Sequence, residues 1–148
     1  MAFFTGEYDC KLDAKGRLAL PAKVKGALPE VSANELVLRR GFEPCLVLYP
    51  MLEYKKIINR VRSLSEFNED YRRFQRSFFR GNIEMELDGS GRINIPKRMM
   101  DFANLEKEVV VVGLGNRVEI WNPEMYEENL INDVSEYSKL AEKYLAED

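Results

Sequence analysis

A nine-residue stretch occurs twice in this chain. Asp13-Ala14-Lys15-Gly16-Arg17-Leu18-Ala19-Leu20-Pro21 returns 75 residues later, without a gap, as Asp88-Gly89-Ser90-Gly91-Arg92-Ile93-Asn94-Ile95-Pro96. Each copy reads Asp, two small or polar residues, Gly, Arg, then apolar-x-apolar-Pro, and Leu12 and Leu87 extend the match. A repeated unit usually cannot bury its apolar face alone.

The local chemistry of one copy is readable. Tyr8, Cys10 and Leu12 alternate with Asp9 and Lys11, as Ile83, Met85 and Leu87 do with Glu84 and Glu86; this is the period of a half-buried strand. Leu18 and Leu20, like Ile93 and Ile95, alternate beyond the turn. Asp-x-x-Gly between alternating runs signals a hairpin, because Asp accepts backbone N–H bonds and Gly takes positive φ without strain. Asp13 with Gly16, and Asp88 with Gly91, therefore read as turn-bracing residues. Pro21 and Pro96 end the strand and can open a short helix.

Two apolar runs, Leu36-Val37-Leu38 and Val109-Val110-Val111-Val112, read as fully buried strands. Leu46 to Tyr49 and Val118 to Trp121 read as closing strands, and Pro50 and Pro123 each open a helix. The expected organisation is a first repeat over 5–50, linking helices over 51–79, a second repeat over 80–123 and an acidic C-terminal helix over 124–148. A helix over about 68–79 carries Arg72, Arg73, Arg76 and Arg80 beside Tyr71, Phe74, Phe78 and Phe79. It could touch a polyanion, pair with the acidic tail or pack at a subunit interface. Its aromatic spacing favours the interface.

Charge is uneven. The 148-residue chain has a net charge of −3, yet residues 124–148 carry eight acids against two lysines, leaving +3 for the rest. Lys11 to Lys25 is +4, whereas the matching Glu86 to Met100 is only +1. Such asymmetry points to a polyanion facing the first copy; the weaker alternative is that the lysines form only a solvated rim. No run approaches the roughly 18 apolar residues of a membrane span, and the first residues are too short for a leader, so a cytosolic protein is expected. Cys10 and Cys45 lie in apolar strand contexts, without a Cys-x-x-Cys, and read as core thiols.

There is no histidine, which removes His-based acid–base chemistry, triads and His metal sites. Gly113-x-Gly115 lacks the third glycine and the following helix of a dinucleotide loop. Glu84 and Glu86 read as solvated charge on one strand face. No enzyme, cofactor, metal site or small-molecule substrate is expected.

The doubled Asp-x-x-Gly-Arg motif, with Arg40-Gly41-Phe42-Glu43-Pro44-Cys45-Leu46 and Gly113 to Trp121, resembles the MraZ family over nearly the whole chain. One copy alone would suggest only the wider AbrB-like and MazE-like group. The resemblance implies a mainly β, α+β fold, with tandem swapped-hairpin repeats forming a double-split β-barrel flanked by helices. It implies a ring-shaped homo-oligomer, commonly an octamer, that binds tandem sites in double-stranded DNA near its own promoter. It implies regulation of a cell division and wall operon, from the cytoplasm and at the nucleoid. The family's Asp-x3-Arg signature falls on Asp13 and Arg17 and again on Asp88 and Arg92. Arg17 is then expected to read a base, with Lys11, Lys15 and Lys23 on phosphates and Arg92 as a further DNA contact. The rival reading is an antidote-type interaction module whose acidic C-terminal helix wraps a partner protein. Such proteins carry one repeat per chain, and this one carries two.

Overall fold

The computed structural model describes residues 3–28 and 35–146. Among the described residues, eight strands and six helices run in the order β1 (Glu7–Lys11), β2 (Arg17–Ala19), α1 (Ala22–Gly26), β3 (Leu36–Arg40), β4 (Leu46–Pro50), α2 (Met51–Arg62), α3 (Glu69–Phe79), β5 (Ile83–Met85), β6 (Arg92–Asn94), α4 (Lys97–Phe102), β7 (Glu108–Gly113), β8 (Val118–Trp121), α5 (Pro123–Glu128) and α6 (Val134–Leu145). The fold is α+β, and every strand pair is antiparallel.

The pairing exchanges strands between the repeats. A six-stranded sheet runs β1-β7-β8-β4-β3-β5, and β2 pairs with β6 in a separate ribbon. β1 of the first repeat thus lies on β7 of the second, and β5 of the second lies on β3 of the first. Both turns form where the Asp-x-x-Gly signal placed them, with Gly16 N–H on Asp13 O at 3.1 Å and Gly91 N–H on Asp88 O at 3.0 Å. The strands flanking each turn do not go on to form a local hairpin. In the first copy only the isolated bridge Leu12–Leu18 joins them.

The sheet does not close. β1 and β5 are its two edges, so the closed double-split barrel implied by the family resemblance is not what the strand ladders form. The ribbon strands are three residues each. Pro21 and Pro96, lacking an N–H, follow within two residues and start helices instead, so the ribbon is too short to bridge the sheet edges.

Two cores lie on opposite faces of the sheet, which is why β3, β4 and β7 are apolar on consecutive residues rather than alternating ones. One face, with Leu36, Leu38, Val109, Val111 and Ile120, packs against Leu18 and Ile93 of the ribbon and against Val24 and Met99 of α1 and α4. The other, with Val37, Val47, Tyr49, Val110 and Trp121, is covered by Tyr54 and Val61 of α2 and Phe78 of α3. The first core draws on both repeats, so neither repeat owns it.

The acidic segment expected as one helix is two. α5 ends at Glu128, and α6 restarts after Asp133, whose carboxylate accepts the Ser135 N–H at 3.1 Å as an N-cap. Glu147 and Asp148 lie outside the described residues.

Cys45 is fully buried, and burial, reinforced by Glu119 and Glu43, pushes its thiol up to about 12. Cys10 is half-buried, raised by burial and then by Asp9. A thiol reagent at neutral pH should label Cys10 well before Cys45 in the native protein, and both alike in denaturant. Equal native rates would show that the β4 core opens readily.

Candidate nucleic-acid interface

The ribbon positions the motif arginines. Arg17 lies opposite Asn94, Leu18 opposite Ile93, and Ala19 opposite Arg92. Side chains alternate across a strand, so Leu18 and Ile93, both fully buried, anchor the inner face. Arg17, Ala19, Arg92 and Asn94 are left on the outer one. Two further bonds lock the register, Ile95 N–H to Gly16 O at 2.9 Å and Leu20 N–H to Gly91 O at 3.2 Å.

Each turn fixes its own arginine. Asp13 Oδ1 accepts the backbone N–H of Lys15 and of Arg17, both at 2.9 Å, while Oδ2 accepts Arg17 Nε at 2.6 Å. Asp88 repeats this with Ser90 N–H at 2.8 Å, Arg92 N–H at 2.9 Å and Arg92 Nε at 2.8 Å. The bond from the Arg17 backbone N–H contributes most to holding the Asp13 carboxyl below its ordinary range, and the Arg92 N–H does the same for Asp88. Gly16 and Gly91 take φ of 80° and 75°. A Cβ at Gly16 would stand 2.9 Å from Ile95 O, so both the turn and the close approach of β6 demand glycine there.

The two arginines are not equivalent. Arg92 Nη1 also lies 3.8 Å from Asp13 Oδ2, tying the second copy's guanidinium to the first copy's turn. Arg17 bonds only through Nε among the described residues, so both its Nη groups keep their donors. About a third of each side chain is exposed.

The lysines are more scattered. Lys15 sits in the first turn, and Lys23 is exposed on α1. Lys11 ends β1 opposite Glu108 of β7, away from the ribbon ladder. Two further residues, not among the contacts expected from the sequence, lie beside these. Asn94 is exposed directly across from Arg17, and the buried Ile93 between Arg92 and Asn94 was the available signal. Lys25 was counted only as charge. Its ammonium would touch a Cβ placed on Gly91 at 2.7 Å, so the first repeat's lysine leans over the second repeat's turn. Met100 holds the equivalent place over Gly16. That contact joins residues far apart in sequence, and no local pattern announces it.

Among the described residues no cluster of three or more His, Cys, Asp or Glu could hold a metal ion, and no helix is long and apolar enough to cross a membrane. The surface so built is a two-stranded ribbon carrying donors and one small residue on its outer face, with lysines around it. A ribbon of this kind fits the width of a DNA major groove.

One family model, described as MraZ protein, putative antitoxin-like, matches the chain twice, over residues 3–77 and 78–146. The chain is also 59% identical, over 146 residues, to a relative from Cytophaga hutchinsonii named transcriptional regulator MraZ. That match covers 99% of this chain and 97% of the relative.

Proposed function

The chain belongs to the MraZ family, and from that premise we propose that it is a transcriptional regulator that binds specific DNA through the β2–β6 ribbon. The observation that carries this reading is the outward placement of Arg17, Arg92 and Asn94 on one ribbon face, with Arg17 keeping its Nη donors. A guanidinium pairs bidentately with guanine O6 and N7, and an amide with adenine N6 and N7. Arg17 reads guanine in this mechanism, and Asn94 is placed to read a neighbouring base. Arg92 braces both turns and adds a DNA contact beside them. Lys15, Lys23 and Lys25 neutralise phosphates, with Lys11 farther out; such contacts set affinity and salt dependence rather than sequence.

One ribbon is too small a surface for tight binding. A ring of identical chains, eight in the form the resemblance implies, would present several ribbons at fixed spacing to tandem sites. The second contact then becomes intramolecular, at effective concentrations up to about millimolar. The sites proposed are those upstream of the protein's own gene, in a cell division and wall operon, with the protein acting in the cytoplasm at the nucleoid.

Salt titrations against three labelled duplexes test this: tandem sites from upstream of the gene, a single site and a scrambled control. Tandem DNA should bind tightest, with affinity falling steeply with salt, by a log–log slope of about −0.9 per phosphate contacted. Equal affinity for all three would reduce the protein to a non-specific polyanion binder. No binding to any would leave the antidote-type interaction module as the reading.

A further inference from the structure

Two surfaces of this chain lack partners, and they complement one another. The first is α6. None of its residues is buried, and Val134, Tyr137, Tyr144 and Leu145 are 76, 63, 70 and 80% exposed. With Ala141 they recur at i, i+3, i+7, i+10 and i+11, which is a single apolar stripe. A free helix this short is marginal in water unless its stripe is covered. Two glutamates and two lysines balance within α6, but acids flank it: Glu127, Glu128 and Asp133 before it, Glu147 and Asp148 after it in sequence.

The second is a groove of about 740 Å³ where α2 turns into α3. Leu64, Phe67 and Phe79 line it together with Arg62, Arg76 and the single acid Glu66. Phe67 is 89% exposed. Among the described residues no carboxylate lies within ion-pair distance of Arg62, Arg72, Arg73 or Arg76. The groove is therefore partly apolar and net positive in its surroundings, with Arg62, Arg72, Arg73, Arg76 and Arg80 against Glu66, Glu69 and Asp70. An amphipathic helix with acidic flanks is the occupant such a groove fits.

We propose that α6 of one copy seats in the α2–α3 groove of a second copy. The stripe covers Phe67 and Phe79, and the flanking acids meet the arginines. Every copy offers one helix and one groove, so the contact runs head to tail and propagates until it closes into a ring. The inference rests on the ring reading above and assigns the surfaces that join the subunits.

The test uses full-length chain and light-scattering mass across a concentration series, backed by native mass spectrometry. One variant combines Tyr137→Asp with Tyr144→Asp, and the other combines Phe67→Asp with Arg76→Glu. All four side chains are exposed, so each variant should fold, and circular dichroism is the control that checks it. Wild type should assemble, and either variant alone should need at least about tenfold more protein to do so. An equimolar mixture should give dimers and nothing larger, because only one sound helix–groove pair remains per two chains. If both variants keep the wild-type mass, or if their mixture stays monomeric, the contact lies elsewhere while the ring reading stands. A wild type monomeric at every concentration overturns both, and leaves α6 to a foreign partner.

Discussion

Arg17→Ala is expected to abolish the preference for tandem sites over a scrambled duplex while leaving the protein folded. A bidentate arginine–guanine pair is worth about 1–3 kcal/mol of discrimination. In a ring every engaged subunit loses that amount, so two engaged subunits lose roughly twice it, and specific binding falls to the non-specific level. The fold should tolerate the change. The Arg17 backbone N–H still donates to Asp13, and the lost Nε–Asp13 bond is a partly exposed ion pair of little consequence for stability. Competition binding at fixed salt, with thermal unfolding as the control, reads both quantities. Arg92→Ala should lose less discrimination than Arg17→Ala, because Arg92 is shared between Asp88 and Asp13. Lys15→Ala should weaken binding whatever the sequence and reduce the salt slope by about 0.9 for each engaged subunit. An Arg17→Ala protein that keeps its site preference and merely binds more weakly would place Arg17 on a phosphate, and the base-reading role would go to another residue.

Leu18→Ala should cost about 2–5 kcal/mol, the range for emptying a fully buried leucine site. Against a total stability of about 5–15 kcal/mol, that is a large share. The site is sensitive because Leu18 faces Ile93 across a ribbon of only three residues per strand, with the main core beneath. Loosening that pair frees the register that puts Arg17 opposite Asn94, so DNA discrimination should fall together with stability. Urea unfolding should show a lower midpoint at unchanged slope. Ala19→Ser, one residue on and exposed, should stay within about 0.5 kcal/mol of wild type. A Leu18→Ala protein with near-normal stability and intact DNA binding would show that the ribbon is held by its turns rather than by the core.

Much of this architecture is legible in the residues. Alternation at Tyr8, Cys10 and Leu12 places β1, and the continuous run at Val109–Val112 marks a strand buried on both faces, as β7 is. The Asp-x-x-Gly signal locates both turns, because the carboxylate and the positive-φ glycine act within five residues. Pro50 and Pro123 mark the starts of α2 and α5. The break between α5 and α6 was missed because the acidic run reads as uninterrupted helix former, yet Asn132-Asp133 offered a cap in its middle. At the site, the exposed side of Arg92-Ile93-Asn94 was readable from alternation, whereas the Lys25–Gly91 and Arg92–Asp13 contacts were not.

The sequence by itself determined what is local. Strand and turn positions, the buried and exposed faces of the alternating strands and the duplicated motif all follow from residue types read along the chain. Only the tertiary structure decided which strands meet. Backbone N–H and C=O groups are the same in every residue, so a strand's own sequence does not name its partner. β2 could have folded back on β1 across its turn. It pairs instead with β6, 75 residues on, because that arrangement buries Leu18 and Ile93 together against one core drawn from both repeats. The same exchange sets Arg17 and Arg92 diagonally on one ribbon face, so a one-copy motif becomes a two-copy surface.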